Sequence, residues 1–395
     1  MTEHAGAIEA VTADVESRTA TLLDVSHDIW EHPELCYEEH HAHAVLTDAI
    51  EAVGIPVERS AFGLDTAFRA TVGDGTGPTV AICLEYDALP VIGHACGHNV
   101  IAAAGLGAGL AAAAVAEELG GTVVFLRPPA EEGGGGKITM IDRGALDGID
   151  LALMIHPADA ELDSFRAIAV HELHCEFHGV ASHAAAAPEH GRNALDAAVA
   201  AYQNVAALRQ HIGGDERIHG IFTHGGDKPN VVPHRAAQSW YVRSGSITSL
   251  EELEPRFLAC LEAGALAAGC TVDHRWVAPP YDSLVDIPSL KERYRVHQEA
   301  RGRTVLPVES RPQLMGSTDM GNVSHLVPSL HPMVQVSPDG VAIHTPEFAG
   351  FARGPEGDRA VVDGAVALAS LVVDLFVDAS LREDARAQFE AASAR

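Results

Sequence analysis

The sequence predicts an α/β protein with a small β-α-β-β-α-β segment set into it, and three observations carry that expectation. Short apolar stretches alternate with helical stretches through the first part of the chain, to about residue 168. From there the periodicity changes to strand, helix, two strands, helix, strand. After Pro279, Pro280 and Tyr281 the alternation of the first part resumes.

The first part offers apolar runs at 79–84, 122–127 and 151–155, with an Ala/Gly-rich stretch after Asn99 and a helical segment at 137–146 between them. Strands and helices in that order build a parallel sheet with crossover helices, and binding residues then gather at the carboxyl ends of the strands. The longest uncharged apolar run, 100–116, is short for a bilayer and consists mostly of Ala and Gly, which predicts a buried core helix. In the inserted part, a strand at 169–177 leads to a helix with Leu195, Ala198, Val199, Tyr202, Val205 and Ala206 on one face. Asn193 caps its start and Gly213 and Gly214 its end. Strands at 218–223 and 236–243 follow, then a helix opened by Ser249 and Glu252 as a capping box and stopped by Gly269, then a strand at 270–277. That order describes an open-faced sandwich. The last helix is expected over 358–376. The domains are therefore 1–168 and 281–395 for the body and 169–280 for the insertion.

Charge narrows the partners. Of the 395 residues, 55 are Asp or Glu and 26 are Lys or Arg, a formal charge of −29 that repels phosphate backbones and anionic lipid headgroups. Neither nucleic acid nor a membrane is expected as a partner. Cys36, Cys83, Cys96, Cys175, Cys260 and Cys270 follow no spacing framework and read as reduced thiols. The acidic N-terminal stretch has no basic and apolar leader pattern, so a cytoplasmic protein is expected.

The densest chemical signal is the block 85–99, EYDALPVIGHACGHN, directly after a strand. Cys96 and His98 stand two apart on a turn, where thiolate and imidazole can converge on one cation, and that donor pair favours zinc. Taken alone, Cys-x-His is equally consistent with a structural turn. A second signal, 128–137 (PPAEEGGGGK), also follows a strand. Adjacent carboxylates are costly there unless a metal or substrate offsets their charge, and a phosphate-cradling loop is disfavoured because Ile138 stands where Ser or Thr would follow the lysine. His156 ends the third strand and His344 lies in GVAIHTP. Each alone reads as an ordinary loop histidine. With Cys96, His98 and Glu132 they make five ligands at strand ends, enough for one or two ions about 3.5–4 Å apart.

These motifs resemble the aminoacylase-type zinc peptidase and amidohydrolase family, which also holds acetylornithine deacetylase, carboxypeptidases and aminobenzoyl-glutamate hydrolase. HPEL at 32–35, the 87–99 block, AEEGG at 130–134, SHAA at 182–185, NALD at 193–196, NVVP at 230–233 and STDMGN at 317–322 occur in the family's order. The resemblance implies a mixed-sheet zinc-peptidase catalytic domain whose βαββαβ (ferredoxin-like) insertion is a lid and dimerisation domain. It implies Cys96, His98, Glu132, His156 and His344 as metal ligands, Glu131 as general base and Asp87 as a carboxylate beside the metal. Glu85 stands where the peptidase branch carries its first ligand histidine, so the chain is similar to the cysteine-containing amidohydrolase branch. Within that branch it is most similar to dipeptidases acting on β-alanyl-lysine and related substrates. The resemblance further implies that His183 reaches the scissile carbonyl across a homodimer, with Asn230 nearby, Arg243 on the substrate carboxylate, and Ser317, Thr318 and Asp319 lining the pocket.

The remaining histidines read as structural: His40, His41 and His43 as a solvated helix face, His171, His174 and His178 as decoration of the insertion's first strand, and His94 as structure or support for the site. Ser317, Thr318 and Asp319 also suit a short helix cap. The expected function is metal-dependent hydrolysis of an amide in a small dipeptide or N-acyl amino acid, with Zn2+ (one or two per chain, Mn2+ or Co2+ substituting) as cofactor. The acidic balance and the resemblance to those dipeptidases favour a basic C-terminal residue, with Asp319 one carboxylate to face it. The rival readings are an aminoacylase or specialised-amide hydrolase and, from another class, a non-catalytic binding protein on the same fold.

Overall fold

The computed structural model describes residues 3–311 and 315–393. The chain divides into two compact units: one runs to Arg166 and resumes at Leu284, the other is Ala167–Ser283.

The first unit is built on a six-stranded mixed sheet in the order Val57–Arg59, Phe68–Val72, Thr122–Arg127, Thr79–Cys83, Leu151–Leu153, Ser329–Leu330. The last four strands are mutually parallel, with Thr79 opposite Thr122 and Leu153 opposite Leu330. Phe68–Val72 and Val57–Arg59 extend the sheet antiparallel, an edge the expected parallel sheet did not include. Thr79–Cys83 and Thr122–Arg127 are buried at every position, which is why they read as unbroken apolar runs.

Helix His98–Leu119 is buried from its start to Ala112 and partly exposed beyond, and it packs close to its neighbours. A Cβ at Gly109 would stand 2.2 Å from the Phe125 ring, so small residues on this helix set the packing distance to the sheet. It and helix Pro355–Val377 are long and apolar enough to cross a membrane, yet 83% and 89% of their apolar windows are buried inside the fold.

In this unit three expected elements needed revision. The helix expected at 137–146 is only Gly136–Ile141, and the strand expected to reach 155 stops at Leu153. A separate strand, His156–Ala158, then pairs in parallel with Met333–Gln335. The helix expected to close the chain is followed by another, Ala379–Ser393, and two more helices, Glu3–Ser17 and Thr19–Glu31, open it.

The second unit is an antiparallel four-stranded sheet in the order Thr271–Trp276, Ala169–His178, Arg235–Ser244, Arg217–His224. Leu173, Cys175, Phe177, Trp240 and Val242 point to one face, where helices Ala194–Leu208 and Ile247–Ala267 cover them. Asn193 caps the first helix, accepting hydrogen bonds from Leu195 N and Asp196 N. That helix ends at Leu208 in a short turn, Arg209–His211, so Gly213 and Gly214 lie beyond it. The second helix is capped by Ser246, whose hydroxyl accepts from Ser249 N at 3.2 Å; Ser249 is therefore in the first turn and the expected Ser249–Glu252 box does not form. Gly269, at φ +64°, follows this helix as expected.

Candidate active site

The carboxyl ends of the parallel strands deliver the site. After Thr79–Cys83 the chain carries Glu85 and Asp87 and turns through Cys96 and Gly97 into helix His98–Leu119. Gly97 has φ +77°, and a Cβ there would stand 2.5 Å from Pro157 Cγ; only glycine lets Cys96 and His98 approach the strand that starts at His156. Donor atoms of Cys96, His98 and His156 lie within 4.8 Å of one another, as do those of Cys96, Glu132 and His344. All five expected ligands thus converge, with the Cys96 sulfur common to both groups.

Hydrogen bonds orient these donors. His98 Nδ1 lies 3.1 Å from Asp87 Oδ1, leaving its Nε2 aimed into the cluster. His156 Nδ1 lies 2.8 Å from the Pro157 carbonyl, and its Nε2 is 3.5 Å from Cys96 Sγ. His344, at φ +65°, is held by its N–H on the Ala95 carbonyl and sits 3.5 Å from Glu132. Buried His98 Nε2 and Glu132 Oε1 make no hydrogen bond, as donor atoms waiting for a cation should.

Electrostatics point the same way. Burial pushes the Cys96 thiol well above its ordinary pKa, with Glu132 and Glu131 adding to the effect, so the thiolate needs a cation. Burial and His331 keep His156 neutral, the form that ligates. Burial opposes charge on Asp87, but the His98 hydrogen bond wins and holds it below the usual carboxylate range. Burial likewise opposes charge on His98, yet Asp87 and the neighbouring glutamates raise it to about 10. Glu131 is raised well above an ordinary carboxyl by burial and by Glu85 and Glu132. Glu132 is lowered: burial resists, but His344 and His98 prevail. Thiol, imidazole and carboxylate donors gathered in this way suit a divalent metal ion.

Several residues behave differently from expectation. Asp319 is fully buried, and both its oxygens are taken by Lys137, one by the backbone N–H at 2.9 Å and one by the ammonium. It therefore does not offer a carboxylate to a substrate. The same ammonium pairs with Glu85, which gives that buried acid a partner within the fold. Thr318 is buried and its hydroxyl accepts from Met320 N two residues on, ahead of a short helix whose N-cap position is Asp319; Ser317 is half-buried beside it. His43 is buried against the Phe68 ring rather than solvated, and His171 is buried, stacked on Trp276 and bonded to Glu254. His94 is buried as well, and burial lowers it to about 4.

Sequence reasoning does not single out His331. It follows the edge strand Ser329–Leu330, is buried, stacks on His156 at 5.5 Å between ring centroids, and neither ring nitrogen has a hydrogen-bond partner. Its only sequence signal is its place at a strand end, and that strand is two residues long.

His183 and Asn230 lie on the second unit. His183 is exposed, and its Nδ1 accepts from Ala185 N and Ala186 N at 3.2 and 3.1 Å, so the proton sits on Nε2 and points outward. Asn230 is adjacent, its carbonyl accepting from Ala184 N. Arg243 is not with them: it lies eight residues along the strand from Arg235, roughly 26 Å at ~3.3 Å per residue. Its guanidinium is beside His219 and Tyr241.

Residues 85–372 match the model of peptidase family M20/M25/M40. The chain belongs to that family. It is 39% identical to the mouse Xaa-Arg dipeptidase over 95% of this chain and 90% of that protein. It is 28% identical to one of the subunits of the Escherichia coli p-aminobenzoyl-glutamate hydrolase over 97% of this chain and 94% of that subunit. A dinuclear metal-binding M20 peptidase of known structure from Bacillus subtilis superposes with a TM-score of 0.71 at 20% identity, covering 92% of this chain and 99% of that one. This family member is a metal-dependent hydrolase of C–N bonds in small peptides or N-acyl amino acids.

Proposed function

We propose a dipeptidase preferring a basic C-terminal residue, with two zinc ions per chain and an active site completed within a homodimer. The observation that carries the metal reading is the Cys96 sulfur shared by two donor groups. The gathering of five acidic groups, Glu85, Asp87, Glu131, Glu132 and Asp319, around Lys137, His98 and His344 also favours more than one divalent cation. A cation bound there supplies Lewis acidity toward the scissile carbonyl and the attacking water. Glu131, its carboxyl raised, takes the water's proton and hands it to the leaving amine. His183 Nε2–H of the neighbouring copy donates to the developing oxyanion, beside Asn230.

The mouse relative's name and the −29 charge support the basic residue. Asp319 plays no part in that preference. The six free thiols support a reducing compartment, the cytoplasm. Amine release from a panel of dipeptides and N-acyl amino acids, with zinc-loaded protein, tests the reading. Arg-, Lys- or ornithine-ended dipeptides should show the highest kcat/KM, and better turnover of neutral or acidic ends would replace it with the aminoacylase reading.

A further inference from the structure

The turn that carries Glu131 and Glu132 begins in an unfavourable conformation. Ala130 has φ +57°, a region that a residue with a Cβ avoids and keeps only where its surroundings impose it. Its N–H donates to Glu39 Oε1 at 2.9 Å, and its carbonyl accepts from Gly134 N at 2.9 Å, closing the turn over the two glutamates. At the far end the Tyr37 hydroxyl donates to the Gly134 carbonyl at 2.8 Å. A Cβ on Gly134 would lie 2.5 Å from the Tyr37 ring and 2.8 Å from Ala130 Cβ, so the turn fits against that ring only as glycine. In the middle, Glu132 N donates to Asp87, whose same oxygen is 3.5 Å from Cys36 Sγ.

Three residues of one short connection, between helices Thr19–Glu31 and His40–Glu51, therefore meet the start, the end and the support of this turn. Glu39 is the innermost, with no exposed surface. Its Oε2 accepts from Thr66 Oγ1 at 2.7 Å, and Arg127 Nη2 lies 3.4 Å from its Oε1. A buried carboxylate is a poor way to gain stability compared with an apolar side chain. An anionic acceptor is well suited to hold an N–H in a conformation the chain would otherwise leave.

We propose that Glu39 is a positioning residue of the hydrolytic site, fixing through the Ala130 N–H the turn that presents Glu131 and Glu132. This rests on the reading of those two as base and ligand. Glu39 touches neither substrate nor metal, so its removal displaces the base while leaving the substrate contacts in place.

The test compares Glu39→Ala, Glu39→Gln and Glu39→Ala/Ala130→Gly as cobalt- and zinc-loaded proteins. Glu39→Ala should lower kcat roughly a hundredfold, as for a displacement of about 1 Å, with KM changed less than about threefold. It should also alter the visible spectrum of the cobalt form. Glu39→Gln, which keeps an acceptor, should retain most of the activity. Glycine at 130 adopts positive φ without strain and should recover much of the loss. Wild-type kcat and spectrum in Glu39→Ala, or a loss that neither the glutamine nor the glycine recovers, overturns the proposal. If Glu131→Gln proves active, the base reading fails, and the cobalt spectrum of Glu39→Ala still decides whether Glu39 positions the turn. Should Glu39→Ala not fold, Tyr37→Phe removes only the hydroxyl on Gly134 and should give a several-fold kcat loss with an altered spectrum; wild-type behaviour there overturns the proposal.

Discussion

Asp87 Oδ1 lies 3.1 Å from His98 Nδ1, while its Oδ2 accepts the Glu132 N–H at 2.9 Å. One carboxylate thus orients the ring of one proposed ligand and the backbone of another. Supports of this kind typically change metal affinity by about 10–100-fold. Asp87→Ala should therefore weaken zinc binding by that factor, read by competition with a chromogenic chelator. Unchanged affinity would mean that Asp87 does not support the metal site.

Glu131 and Glu132 are neighbours with opposite shifts, Glu131 raised and Glu132 lowered. Glu131→Gln should keep its zinc and lose roughly 10²–10⁴ in kcat, the range for a positioned general base. Glu132→Ala should lose zinc first. Equal metal loss in both, measured by elemental analysis after dialysis, would refute the division of roles.

Lys137 is the ammonium between Glu85 and Asp319, all three buried. Lys137→Met strands two carboxyl groups and should destabilise the protein by about 3–5 kcal/mol in denaturant titration. Adding Asp319→Asn should recover part of it, because one stranded carboxyl is then neutral. A double variant no more stable than the single one would show that the pairing does not carry the effect.

Asp374, buried in helix Pro355–Val377, lies 2.6 Å from His297 Nε2 and 2.5 Å from His4 Nε2. Burial opposes its charge, yet the His297 and His4 hydrogen bonds and Arg293 leave its pKa below the ordinary value. A depressed folded-state pKa contributes stability that is fully present above the unfolded value, about 3.9, and is lost as pH falls through the folded one. The stability gap between the protein and Asp374→Asn should shrink as pH falls below about 4. A gap that widens in that range would reverse the assignment.

Much of the site is legible in the sequence because chemistry and topology coincide in one chain segment. Strand 122–127 is an unbroken apolar run, and AEEGG follows it directly, so the motif's residues carry their own location. Lys137 and Asp319 are not legible as a pair. They are 182 residues apart, and an Asp in a family pocket motif looks available until its partner is seen. His43 and His331 escape sequence reasoning for a related reason: a lone histidine has no period, and only packing against Phe68 or His156 separates a core ring from a solvated one. Ser246 and Ser249 both make plausible helix starts three residues apart, and only the hydrogen bond to Ser249 N chooses Ser246 as the cap.

His183 carries its proton on Nε2 because Ala185 N and Ala186 N both donate to its Nδ1. An outward N–H on an exposed loop is a ready donor for an oxyanion, and a donor of this kind contributes typically about 2.7–4 kcal/mol to the transition state. His183→Ala should lower kcat roughly a hundredfold or more with zinc content unchanged. If the histidine serves the neighbouring copy, mixing His183→Ala chains with Glu131→Gln chains should restore activity. In such a heterodimer one of the two sites has an intact base and an intact histidine, so the expected recovery approaches half of the wild-type rate per dimer. Heterodimers isolated by two different affinity tags that remain as inactive as either parent would rule out the shared site and return His183 to its own chain or to a purely structural turn.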